Sequence, residues 1–142
     1  MPADRTLTII KPDAFGRGLA GKIIAHLEDA GFRISVARVV HLSREQAGAF
    51  YEIHRERPFF ASLVAFMTSG PCMPIVLTRA DAVAALRRVI GATDPREAEA
   101  GTVRRLYAES KERNAIHASD SDENAAREAA FFFSDIEVLG AR

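Results

Sequence analysis

The sequence predicts an α+β sandwich of the βαββαβ type, four strands in one sheet with helices packed on one face. Three observations carry that expectation. Four stretches have strand chemistry, either β-branched and apolar throughout or alternating apolar with polar. Apolar residues at helical spacing fill the intervals between them. No repeat, low-complexity stretch or linker interrupts the 142 residues, so a single domain over 1–142 is expected.

Arg5 to Lys11 is the first strand: its apolar run stops at Pro12, and Lys11 emerges at its C-terminal end. Residues 12–18 are turn-rich. Ile23, Ile24, Leu27 and Ala30 mark a helix that Gly31 closes. Phe32, Ile34, Val36 and Val40 then alternate with polar residues, which suits a strand with one wet side. Ser43-Arg44-Glu45-Gln46 is a capping box, and Ala47, Phe50, Tyr51 and His54 share the face of the helix that follows. Arg57-Pro58 breaks it. A second helix starts at Phe59 or Phe60, shows Leu63, Val64, Phe66 and Met67 on its apolar side, and ends at Ser69-Gly70-Pro71.

Met73 to Thr78 is the third strand. Ala82, Val83, Leu86, Val89 and Ile90 give another helix, stopped by Gly91. Residues 91–102 follow neither period, and a loop of that length inside a compact domain is more often functional than idle. Val103 to Tyr107 can begin a short helix. Ser121 is placed to cap a last helix, with Asp122 and Glu123 where the helix dipole favours negative charge and an alanine-rich body behind them. Phe131-Phe132-Phe133, Ile136 and Val138 read as the fourth strand.

Bulk composition narrows the function classes. With 19 basic and 19 acidic residues the formal net charge is zero, so no global affinity for nucleic acid or membrane is expected. An anion site must come from local clustering of Arg and Lys. The one cysteine, Cys72, lies beside an apolar run and reads as a small buried hydrophobe, compatible with a reducing compartment. With no apolar signal core or membrane-length stretch, a soluble cytoplasmic protein is expected.

The chemistry concentrates in Asn114-Ala115-Ile116-His117-Ala118-Ser119-Asp120-Ser121, followed by Glu128. A histidine with an amide before it and a hydroxyl and carboxylates after it can be a nucleophile, provided that one ring nitrogen is free and the other is held by a hydrogen bond. Taken alone, the stretch equally suits a surface loop. Lys11, Arg57, Arg87 and Arg104 stand near element ends, where each could be a solvated charge or part of a phosphate cradle. Gly16-Arg17-Gly18-Leu19-Ala20-Gly21-Lys22 matches seven positions of a phosphate-binding P-loop, but Ile23 stands where that motif needs a magnesium-holding Ser or Thr. The four histidines show no metal-ligand spacing, and no Gly-x-Ser-x-Gly elbow is present.

Six landmarks, in order, carry a resemblance: Lys11-Pro12-Asp13, Arg57-Pro58-Phe59-Phe60, Ser69-Gly70-Pro71, Gly91-Ala92-Thr93-Asp94-Pro95, Gly101-Thr102-Val103-Arg104 and the histidine stretch. Together, from about Arg5 to Val138, the chain resembles the nucleoside diphosphate kinases. The resemblance implies a ferredoxin-like sheet of four antiparallel strands. It implies reversible ping-pong transfer of a γ-phosphoryl from a nucleoside triphosphate to a diphosphate through phosphorylated His117. Glu128, backed by Ser119, would orient the imidazole, and Lys11 and Tyr51 would contact the transferred group. Arg87, Thr93 and Arg104 would hold the outer phosphates, and Asn114 with Lys11 the ribose. Phe59 would stack on the base beside Leu63, a contact open to many bases because every base has a π-face.

Mg2+ would be the cofactor, bound by nucleotide phosphates rather than by protein side chains. The implied partners are ribo- and deoxynucleoside tri- and diphosphates, with no membrane and no nucleic acid required, and the assembly a homotetramer or homohexamer. The short tail from Leu139 to Arg142 resembles the shorter bacterial members. Four residues depart from the family's usual pattern. Ala118 replaces a common glycine, Leu106 stands where an acidic residue is frequent, Lys111 occupies a usually apolar place near the base, and Phe15 replaces a smaller residue.

Overall fold

A computed structural model describes residues 3–140, so the end of the tail, residues 141–142, lies outside the described residues. The elements are β1 (Arg5–Ile10), α1 (Pro12–Gly16), α2 (Ala20–Asp29), β2 (Arg33–Ala37), α3 (Arg44–Phe50), a 3-10 turn (Glu52–His54), α4 (Phe60–Met67), β3 (Met73–Thr78), α5 (Ala82–Ile90), α6 (Val103–Tyr107), β4 (Ile116–Ala118), α7 (Asp122–Phe132) and α8 (Asp135–Gly140). The sheet order is β2-β3-β1-β4 and every neighbouring pair is antiparallel. This is the ferredoxin-like arrangement of the expected α+β class. β1 is central and wholly buried.

Helices cover both faces of the sheet, not one as the strand pattern suggested. Leu7, Ile9 and Val76 pack with Phe50, Val64, Ala129 and Val138, whereas Ile10, Ile75 and Leu77 pack with Leu27, Leu86 and Val103. The physical reason is legible in β3, where Pro74, Ile75, Val76 and Leu77 follow one another, and in the Ile9-Ile10 pair that ends β1; apolar residues at successive positions need two dry faces.

The fourth strand is not Phe131 to Val138. The cap of Ser121 on Asn124 N–H starts α7, whose alanine-rich body runs on through Phe132, and Ile136 and Val138 belong to α8. A triple phenylalanine suits a strand or a buried helix equally, and the helix already in progress decides. The strand is instead the histidine stretch itself: β4 has three residues, too few to show a period, and Ile9 pairs with His117. Two smaller differences follow local chemistry. The expected turn after β1 contains α1, with Pro12 in its first turn, where a missing N–H costs nothing. The helix capped by Ser43 ends at Phe50, and His54 sits in the 3-10 turn.

The P-loop-like segment forms no phosphate cradle. Gly18 and Leu19 N–H donate to Phe15 and Ala14 carbonyls of α1. Among the described residues no helix is long and apolar enough to cross a membrane.

Candidate active site

A sharp turn delivers β4. Ile116 N–H donates to Asn114 C=O at 2.9 Å across Ala115, whose φ is +73°. This is a γ-turn of the rare positive-φ kind, strained for a residue with a Cβ. Two bonds clamp it: Lys11 N–H donates to Ala115 C=O at 2.9 Å, and Ala115 N–H donates to Asp13 Oδ2 at 3.0 Å. The turn leaves the Asn114 side chain buried, accepting from Lys11 Nζ at 2.9 Å and donating to Thr93 C=O at 3.3 Å. Three candidates from distant parts of the chain are thus bonded together.

The His117 ring is oriented from behind. Its Nε2 lies 2.8 Å from Glu128 Oε1, and Ser119 Oγ donates to the same oxygen at 2.7 Å. Burial pushes the Glu128 carboxyl upward, but the bonds from His117 and Ser119, with Arg127 nearby, hold it below its ordinary value. An ionised carboxylate only accepts, so the proton of the neutral ring sits on Nε2 and the lone pair on Nδ1. Phe50 and Tyr51 wall the ring edge-on, at centroid distances of 5.6 and 6.4 Å. The His117 side chain nonetheless keeps 19% of its exposure against 8% for Glu128, so it can be reached from solvent. Burial, with Glu128 adding, drives the Tyr51 phenol strongly upward, so it stays protonated; its hydroxyl is buried without a protein partner.

Two cations bond the edge of β4 that faces away from β1. Arg104 donates to Ile116 C=O at 2.8 Å and Arg87 to Ala118 C=O at 3.3 Å, the residues before and after His117. Arg87, Arg88, Thr93, Thr102 and Arg104 line one cavity of about 530 Å³, with Glu97 and Glu99 also on its wall. Burial, with Arg87 assisting, lowers Arg104 to about 10; burial, with Arg104 assisting and Asp13 opposing, lowers Lys11 to about 8. Neither buried cation has a carboxylate in ion-pair contact among the described residues. Buried charge without an ion-pair partner is costly, and an anion entering the cavity would relieve it at Arg104, which lines it; Lys11 is not in its lining.

Phe59 and Leu63 lie apart from that cavity, on α4. Phe59 caps the helix with its ring half-exposed, and rings connect it to the histidine: His54 lies 5.4 Å from Phe59 and 6.4 Å from Tyr51. Sequence reasoning missed Phe50 and Arg88. Phe50 reads as one more core residue of a helix face, whereas the Arg87-Arg88 doublet was a visible signal. Ala118 sits in β4 without positive φ, so its methyl costs nothing there. Leu106 is exposed, Phe15 packs against the core, and Lys111 lines a second, smaller cavity with Pro95 and Glu109.

The nucleoside diphosphate kinase family model matches residues 4–138. The chain belongs to the nucleoside diphosphate kinase family. Among its relatives, a nucleoside diphosphate kinase of Chlorobium chlorochromatii is 59% identical over 136 residues, 96% of this chain and 97% of that one. One from Acidiphilium cryptum is 54% identical over 140 residues, 99% and 100% of the two chains. The Aquifex aeolicus nucleoside diphosphate kinase superposes with a TM-score of 0.93 at 45% identity, covering 96% and 99%. The Halobacterium salinarum enzyme, solved in complex with CDP, superposes with a TM-score of 0.89 at 39% identity, covering 94% and 90%. The chain is accordingly an enzyme of the transferase class that acts on nucleotides.

Proposed function

We propose that the chain moves a γ-phosphoryl group reversibly between nucleoside tri- and diphosphates in a ping-pong cycle, with His117 as the carrier. The reaction class is the family's; the residue roles rest on the geometry. One observation carries them: a ring nitrogen left free by Glu128, beside buried cations that have no carboxylate in ion-pair contact among the described residues.

In the first half-reaction the Nδ1 lone pair attacks the γ-phosphorus while its bond to the β–γ bridging oxygen breaks, and the diphosphate departs with that electron pair. The ring becomes a phosphorylated imidazolium whose Nε2–H is already held by Glu128, so no proton moves. In the second half a terminal oxygen of the acceptor diphosphate attacks the phosphorus and Nδ1 leaves. Lys11 and the unpartnered Tyr51 hydroxyl donate to the transferred group, and Arg87, Thr93 and Arg104 hold the outer phosphates. The Lys11–Asn114 bond presets both side chains for the ribose. Phe59 stacks on the base, with Leu63 one turn further along the slot.

Three arginines and two threonines around the cavity fit phosphates, and Glu97 and Glu99 alone fall short of a metal cage, so the metal would be carried on the phosphates. Mg2+, when bound, neutralises phosphate oxygens and aligns them. We further infer a cytoplasmic homotetramer or homohexamer, supported by the exposed Ile136 and Leu139 of α8, which packs beside the edge strand β2; light scattering would give the mass.

Incubation with γ-labelled ATP and magnesium should give an acid-labile, alkali-stable phosphoprotein. His117→Ala should abolish the label with an unchanged circular dichroism spectrum. A label that survives the substitution overturns the assignment. A coupled assay of GDP phosphorylation separates turnover from mere nucleotide binding.

A further inference from the structure

We propose that Asp13 is a positioning residue of the phosphate site: its buried carboxylate clamps the γ-turn that aims Asn114 and supplies the counter-charge for the Lys11 ammonium. The inference rests on the reading of Lys11 as a phosphate ligand.

Asp13 is 4% exposed and forms no ion pair among the described residues. Oδ2 accepts from Ala115 N–H at 3.0 Å, while Oδ1 is fully buried with no protein hydrogen bond. A carboxylate is a poor choice if its only task is to accept one N–H, because its second oxygen stays desolvated without a partner. An asparagine could accept the same bond without a charge to bury. What the carboxylate adds is negative charge, and its position says where that charge acts. Asp13 is two residues beyond Lys11, and it opposes the effects of burial and Arg104 on that lysine. The two side chains share no direct bond, so the action is through space.

The other groups around Lys11 do not supply this charge. Asn114 is a neutral acceptor, and Arg104 from α6 is a like charge, with Arg87 of α5 beside it. From β4 and α7 come His117 and Glu128, which are bonded to each other, Glu128 also serving Ser119. Tyr51 stays protonated. Asp13 is the carboxylate whose influence favours the lysine's proton.

The mechanical half follows from the turn. Ala115 at φ +73° holds a conformation that a residue with a Cβ leaves when it is free to. Its N–H and C=O are both engaged, the first by Asp13 and the second by the Lys11 backbone, so one short span of the chain closes the turn from both ends. Asn114 on the near side and His117 two residues beyond take their direction from that closure.

Two variants separate the roles. Asp13→Asn keeps an oxygen for Ala115 N–H and removes the charge; Asp13→Ala removes both. The chain has three lysines, so the Lys11 ε-carbon signal can be assigned in 13C-lysine-labelled protein through its loss in Lys11→Arg, and its titration followed by NMR without any turnover. Asp13→Asn should titrate Lys11 about one pH unit lower than the unaltered protein. The alkaline limb of kcat/KM should move down by the same amount, with the melting temperature nearly unchanged. Asp13→Ala should show that shift plus a lower melting temperature and a rise in KM. A Lys11 titration that is the same in Asp13→Asn as in the unaltered protein overturns the proposal whether or not the protein turns over. A loss of kcat in Asp13→Asn that is uniform with pH, with no titration shift, overturns it in favour of a structural role alone. Absence of turnover in the unaltered protein, with the titration shift present, would instead remove the functional reading and leave the charge relation standing.

Discussion

Lys11 and Glu128 are both held below their ordinary values, so each makes stability rise with pH, in separate windows. Lys11 drops from 10.5 to about 8 because it is buried beside Arg104. Between about pH 8 and 10.5 the unfolded chain keeps a proton that the folded one has released, so this lysine makes stability rise with pH across that window. Nucleotide phosphates should restore the proton. Titration calorimetry at pH 8.5 in two buffers of different ionisation enthalpy should therefore register net proton uptake on diphosphate binding, falling towards zero by pH 6.5. Zero uptake at pH 8.5 would mean that Lys11 does not meet the phosphates. Glu128, held below its ordinary value, stabilises the fold above the unfolded carboxyl value and loses that contribution as pH falls through its own. Glu128→Gln should keep the ring in place but release its tautomer, lowering kcat roughly 10- to 100-fold with little change in KM. A KM effect alone would place Glu128 outside the chemistry.

Among the elements, the joint between α5 and the loop that follows has the least tolerance. Gly91 has φ +89°, and a Cβ there would meet Thr102 Oγ1 at 2.6 Å and Thr102 Cβ at 2.8 Å. Its carbonyl also accepts from Arg104 at 3.1 Å, so the joint and the proposed phosphate site are mechanically one. Gly91→Ala should cost about 2–3 kcal/mol in urea unfolding and raise KM for nucleotides. An unchanged KM would detach the joint from the site. At the other end of the site, the Ser121 hydroxyl accepts from Asn124 N–H and starts the helix that carries Glu128. Ser121→Ala should cost about 1 kcal/mol of stability while leaving kcat within a few-fold. These caps and stops were legible beforehand because they depend on one residue and its immediate neighbours. The triple phenylalanine was not, since its hydrophobicity says only that it is buried.

For the molecule as a whole, the formal charge of zero hides a buried excess of one sign at a single place. Inorganic pyrophosphate should therefore raise the melting temperature by binding only the folded state, and added sodium chloride, at roughly 0.5 M, should weaken that gain by screening. In Arg104→Ala the gain should shrink markedly, and an undiminished gain would put the anion elsewhere on the surface. Helices on both faces of the sheet bury Lys11 and Arg104, with α2, α5 and α6 over one face and α3, α4, α7 and α8 over the other.

By itself the sequence determined the chemistry available: His117, its acid Glu128, the hydroxyl of Ser119, the scattered cations, and the helices and strands whose period or caps run long enough to read. It also determined the α+β class, because strand and helix patterns alternate along one short chain. Only the tertiary structure decided that three residues around His117 are a strand, that helices lie on both faces, and that Nδ1 is the free nitrogen. It likewise decided that Asp13, Lys11, Thr93 and Asn114 meet through one turn. The physical reason is range. Propensity, capping and periodicity act between residues a few places apart, whereas Lys11 and Asn114 are 103 residues apart and acquire their relation only when β1 and β4 pair.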